Sequence, residues 1–180
     1  MTHRIIAATL VSLVTVAHAA FARQDHPPMP PGMTHAEHLA QMAKDADLKK
    51  RGADAMGFDQ DAAAHHFRLL GDGGAIEVGA KDAANVVVRD AIRAHLREIA
   101  TQFSQGVFDK PVATHAEVPP GVETMQALKA HITYAYEQSD AGGRVRITAD
   151  DATALAAVHE FLVYQIKEHA TGDPVVVRRP

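Results

Sequence analysis

The 180 residues include no cysteine and no tryptophan, and beyond position 22 serine is reduced to Ser104 and Ser139. Without cysteine there can be no disulfide framework, thiolate metal site, thioether-linked haem or lipid-modified N-terminal cysteine. Neither serine sits in a Gly-x-Ser-x-Gly elbow, so the common serine-hydrolase signature is missing. No phosphate loop or dinucleotide fingerprint is present; Gly71-Asp72-Gly73-Gly74 is a turn sequence and not a phosphate cradle. Basic charge is also short: 18 Lys and Arg against 22 Asp and Glu give a net charge of −4. That balance offers no grip on nucleic acid. Long apolar runs are limited to residues 5–16, too few for the ~20 residues that cross a bilayer.

That run has the features of an export signal. Arg4 precedes it, and Ala17-His18-Ala19 and Ala20-Phe21-Ala22 follow as small-x-small cleavage sites. We expect residues 1–22 to be a signal peptide, the mature chain to start at Ala20 or Arg23, and the protein to be periplasmic or secreted, with no membrane contact after cleavage. Loss of Arg4 would move the net charge from −4 to −5. An exported protein without disulfides must be held by its core or by a non-thiolate metal site.

Histidine is abundant: twelve in the chain, ten once His3 and His18 are set aside. Residues 23–55 form a Pro/His/Met-rich tail and a helix. Thr34-His35-Ala36-Glu37 is a capping box that should open a helix running to Lys50 or Arg51, with Gly52 as its stop. His35, His38 and Met42 share one face of that helix. Such an arm is either a solvated helix or a His/Met device for a soft or borderline metal.

Residues 56–173 contain a repeat. Gly73-Gly74-Ala75-Ile76-Glu77-Val78 returns as Gly142-Gly143-Arg144-Val145-Arg146-Ile147, an offset of 69 (142 − 73). Each copy predicts strand, turn, strand, helix. In the first, Leu69 should oppose Ile76 and His65 should oppose Ala80. Alternation then puts His65, Phe67, Leu69, Ile76 and Val78 on an inner face and His66, Arg68 and Glu77 on an outer one. A helix over 82–103 carries Val88, Ile92, His95, Leu96, Ile99 and Phe103 as its apolar stripe. Residues 108–121 should be irregular, followed by a short helix with Met125 and Leu128. The second copy has strands over 132–137 and 144–148, then a helix over 150–169 with the stripe Leu155, Val158, His159, Leu162 and Ile166. Neither hairpin can bury its apolar face alone. The expected fold is α+β: a duplicated ββα unit forming a four-stranded, mostly antiparallel sheet with two long helices on one face, plus the N-terminal helix. Residues 174–180 form a tail.

Within one unit, His95 should lie near the turn end and His65 near the opposite end, so both are expected to be structural. His66 differs, because it projects from the open sheet face. Only the N-terminal helix and residues 108–125 remain to cover that face. They would bring His115 and Met125, with His35 or His38 from the arm, near His66. The candidate metal site is therefore His66, His115, Met125, His35 and His38, for copper by its imidazole and thioether donors, or for zinc. His159-Glu160 starts like a zinc-protease motif, but Val163 stands where the second histidine belongs.

The runs Met56-Gly57-Phe58-Asp59-Gln60, His65-His66-Phe67-Arg68-Leu69, Val118-Pro119-Pro120-Gly121-Val122 and Tyr164-Gln165-Ile166-Lys167-Glu168-His169-Ala170-Thr171-Gly172-Asp173 resemble a family of short secreted bacterial proteins without an established activity. The resemblance implies no mechanism. Such chains can carry a carbamoyltransferase label, but the Ser-Thr-Arg-Thr type phosphate loop of that chemistry is absent here. Three functions follow from the residues: a metal-binding or metal-handling protein, with copper foremost; a non-enzymatic binding module for a small ligand or protein partner, with structural histidines; and, with least support, a hydrolase using a histidine and a carboxylate.

Overall fold

The structure is a computed structural model that describes residues 28–177; the expected leader over 1–22, His26 and the last three residues lie outside them. The chain runs α1 (His35–Met56), β1 (Ala63–Leu70), β2 (Gly73–Ala80), α2 (Val86–Ser104), α3 (Asp109–His115), α4 (Val122–Ala127), β3 (Ile132–Gln138), β4 (Gly142–Ala149) and α5 (Ala152–Glu168). The four strands form one antiparallel sheet in the order β1-β2-β4-β3. The two copies of the repeat therefore meet along β2 and β4, and the fold is the expected α+β arrangement. No described helix is long and apolar enough to cross a membrane.

The first hairpin turns on Gly71-Asp72 alone, so β2 already begins at Gly73. Leu69 pairs with Gly74 and His65 with Val78, two places from the expected register. A slip of two keeps every side chain on its face, because side chains alternate with period two. Phe67, Leu69, Ile76 and Val78 are accordingly buried. Gly73 belongs to the central seam: its φ is +147°, and a Cβ there would stand 2.1 Å from the Ile147 carbonyl oxygen. Its glycine answers to strand contact with β4, which pairs it with Thr148.

The helices depart from expectation in instructive ways. The Thr34–Glu37 capping box is present, but α1 continues through Gly52 and ends at the left-handed Gly57. Gly52 is buried inside α1 because the Gln60 side chain presses on it; a Cβ would fall 1.6 Å from Gln60 Nε2. Asn85, not Asp82, caps α2, its side chain accepting from the Val88 amide at 3.2 Å. Asp82 instead closes a tight turn onto the Ala84 N–H at 2.9 Å. The segment expected to be irregular holds α3. Pro111 falls in its first turn, where a missing N–H costs nothing. In α5 the buried face is Ala154, Ala157, Val158, Phe161, Leu162, Gln165 and Ile166, so Phe161 and Gln165 are buried where Leu155 and His159 of the expected stripe are only half-buried.

The helices also exchange places. α2 lies mainly over β3 and β4, and α5 mainly over β1 and β2. Each unit's helix thus covers the other unit's hairpin. α1 packs on α3, on the helix side of the sheet. It does not cover the outer sheet face, where Arg68 pairs with Glu77 at 3.2 Å and Arg144 with Glu137 at 2.7 Å.

Candidate functional site

Four histidines gather in one place: His65 and His95, expected to be structural, with His115, expected as a metal ligand, and His169. β1 directs His65 inward by strand alternation, and the α2 stripe presents His95. His115 closes α3, and His169 is the C-cap of α5. All four line one cavity of about 60 Å³. Its floor is Phe67, Ile76 and Val78, and its sides are α2 (Leu96, Ile99, Phe103) and α5 (Phe161, Gln165). Its roof is α3 with Met56 from the end of α1. The roof is tied down: Arg51 Nε donates to the Thr114 carbonyl at 3.0 Å, and Lys110 Nζ to the Ala55 carbonyl at 2.8 Å.

His169 stands between two neighbours. Its ring centroid is 5.6 Å from that of His65, with the planes near parallel, and 5.2 Å from that of His115, with the planes near perpendicular. The Phe58 ring lies 6.1 Å from His65 and 5.7 Å from His95, linking the fourth histidine to the other three. The expectation that His65 and His95 belong to separate regions is therefore corrected: both face one cavity, with Phe58 between them.

Burial decides the charge state of these rings. It pushes His65 down to about 4, helped by the nearby His66 and Lys81. His95 falls to about 3 through burial, then Lys110 and His65. His169 falls to about 3 through burial, then His65 and His115. Burial also lowers His115, against the opposing pull of its Gln165 bond and of Glu168 and Glu117. At neutral pH the cluster is uncharged, and a neutral imidazole keeps one nitrogen lone pair.

Hydrogen bonding leaves much of that capacity unused. His115 Nε2 donates to Gln165 Oε1 at 3.0 Å, an orientation that leaves the lone pair on Nδ1. His65 Nε2, His95 Nδ1, His115 Nδ1 and Gln165 Nε2 are buried with no hydrogen-bond partner. Each such group costs about 1–3 kcal/mol if left unmatched, so four around one cavity call for a ligand or water.

The five residues expected to form a metal site are dispersed. His115 lies on the helix side of the sheet, with the cavity. His66 is on the outer side, its Nδ1 3.1 Å from Asp173 Oδ1. Met125 is buried in the core among apolar side chains and does not line the cavity. His35 and His38 are on the first turn of α1. The structure does not bring the five together, because α1 and residues 108–125, expected to cover the outer sheet face, pack with the helix layer instead. Among the described residues no three His or acidic side chains already surround one point closely enough to hold an ion.

His159, the remnant of the protease-like motif, has a holding role. Its Nε2 lies 2.9 Å from both the Leu70 and Gly73 carbonyl oxygens and fixes α5 to the first turn. The residues that sequence reasoning passed over are His169 and Asp173. A signal for His169 existed: Leu162, Gln165, Ile166 and His169 recur at helical spacing on one face. Comparison with known protein families, curated proteins and solved structures finds no match to this chain.

Proposed function

We propose that this is an exported metal-handling protein whose ion is taken by the imidazoles of His65, His115 and His169. The observation that carries this reading is the position of His169, 5.2 and 5.6 Å from its two neighbours. With metal–nitrogen bonds of ~2 Å, two imidazoles on one tetrahedral ion have ring centroids about 5 Å apart. Both centroid distances are near that spacing, and binding would require the rings to turn until their lone pairs meet.

Size supports an ion over an organic cofactor. Ligand pockets usually measure about 300–1,000 Å³, whereas this cavity is about 60 Å³. It has room for an ion with a water, or for a molecule of a few heavy atoms. Charge supports copper over zinc. Among the described residues no carboxylate lines the cavity to offset a divalent ion and Lys110 is part of its wall, so the cost of burying charge favours monovalent Cu(I). The Met56 thioether at the roof suits the same soft ion. The apolar floor and sides favour a second reading, a binding module for a small uncharged molecule that hydrogen-bonds to the unpartnered nitrogens.

Equilibrium dialysis against Cu(I), Cu(II) and Zn(II), read by elemental analysis, distinguishes the two. The metal reading expects one tight equivalent of Cu(I), lost in His169→Ala and retained in His35→Ala and in His38→Ala. Binding no tighter than that of a peptide spanning residues 23–55 would exclude the cavity as a metal site and leave the small-molecule reading.

A further inference from the structure

A groove of about 320 Å³ shares His65 and His169 with the cavity. The same groove is lined by His66, Lys49, Lys81 and Thr171. His65 and His169 thus border both the cavity and the groove. His66 is the next residue of β1 and stands at the groove with its side chain 44% exposed.

His66 is held in one orientation from an unexpected quarter. Asp173, just beyond α5, turns its carboxylate onto the exposed edge of β1. It accepts the Phe67 N–H at 3.0 Å, an Arg68 N–H at 3.1 Å and the His66 Nδ1–H at 3.1 Å. That carboxylate is only 6% exposed, so the three donors fix it firmly. A carboxylate on Nδ1–H is the support that metal-ligating histidines typically have: it sets the tautomer and leaves the lone pair on Nε2.

We propose that His66, oriented by Asp173, is the capture ligand that receives an incoming ion at the groove and passes it to His65 and His169. The proposal rests on the cavity reading given above. Captured at Nε2 of His66, the ion exchanges one imidazole for the next. No bond within the protein breaks, and no oxidation or proton transfer is required. Asp173 is a positioning residue in this scheme.

The test uses the full-length protein and Cu(I) kept reduced with ascorbate. Loading is followed in stopped flow, and removal by an excess of a coloured bidentate chelator. His66→Gln keeps an N–H for Asp173 while removing the imidazole. The expected result is at least tenfold slower loading and removal, with one equivalent still bound at an equilibrium affinity within twofold of wild type. Asp173→Asn should slow both steps in the same sense, by less. Wild-type rates in His66→Gln, with one equivalent still bound, would overturn the capture role and leave the cavity reading intact. Loss of the equivalent in His66→Gln would also overturn it, by making His66 a resident ligand. No equivalent bound by the wild-type protein would overturn both the cavity reading and the relay.

Discussion

His95 shows what buried histidine costs. Its ring is held neutral down to about pH 3 by burial, while in the unfolded chain it gains a proton near 6.5. Below 6.5 the unfolded state therefore binds more protons than the folded one. The contribution of a neutral ring is intact above about pH 6.5 and is lost as the pH falls toward its folded value. At pH 5 the penalty is about 2 kcal/mol for each such histidine. His65 and His169 act in the same direction. Denaturant unfolding at pH 7.5 and pH 5.0 should show a marked loss of stability at the lower value, and in His95→Leu that loss should shrink by about 2 kcal/mol. An unchanged pH dependence in the variant would mean that His95 is not held neutral by its surroundings. At this scale the sequence was partly readable. Alternation put His65 inside and His66 outside, as found. It could not show that inward histidines from β1, α2, α3 and the end of α5 converge, because convergence depends on how the helices cross the sheet.

Among the elements, α3 is the one that positions a site residue with least sequence signal. Seven residues with a proline in the first turn show no helical period. Its place is set by tertiary contacts from α1, through the Arg51 and Lys110 hydrogen bonds. Arg51→Ala should cost about 1 kcal/mol, the ordinary worth of such a bond. It should also raise hydrogen exchange across residues 109–115 while leaving β2 and β4 protected, as mass spectrometry would show. Equal exchange in both proteins would mean that α3 does not depend on α1. Helices with strong local cues were easier to place. The capping box located the start of α1 to the residue, and the α2 stripe is buried almost as read. The first hairpin illustrates the limit: its faces were legible but its register was not, because a four-residue turn sequence contains a two-residue turn.

For the whole molecule, the repeat identified the sheet but did not reveal the exchange of helices. Identical patterns in the two copies are equally consistent with each helix lying on its own hairpin or on its sibling's. At the β2–β4 seam the crossed placement uses two glycines: Gly74 leaves room for Leu162 of α5 and Gly142 for Ile92 of α2. The consequence is measurable. Fragments covering residues 28–106 and 107–177 should each show little ordered structure by circular dichroism and should regain it on mixing. Either fragment folding alone with a cooperative transition would show that the exchange is not needed for stability.

The crossed helices also bear on how such a molecule relates to smaller ones. Cut the connection between the two units, and nothing in the sheet or the helix layer would have to move for the pieces to remain engaged. Two free copies of a single ββα unit could make the same set of contacts, each lending its helix to the other. The chain is thus equivalent in its contacts to an interlocked pair joined end to end. The linker, which holds α3 and its histidine, is the part in which such a pair could acquire chemistry without disturbing the symmetric frame.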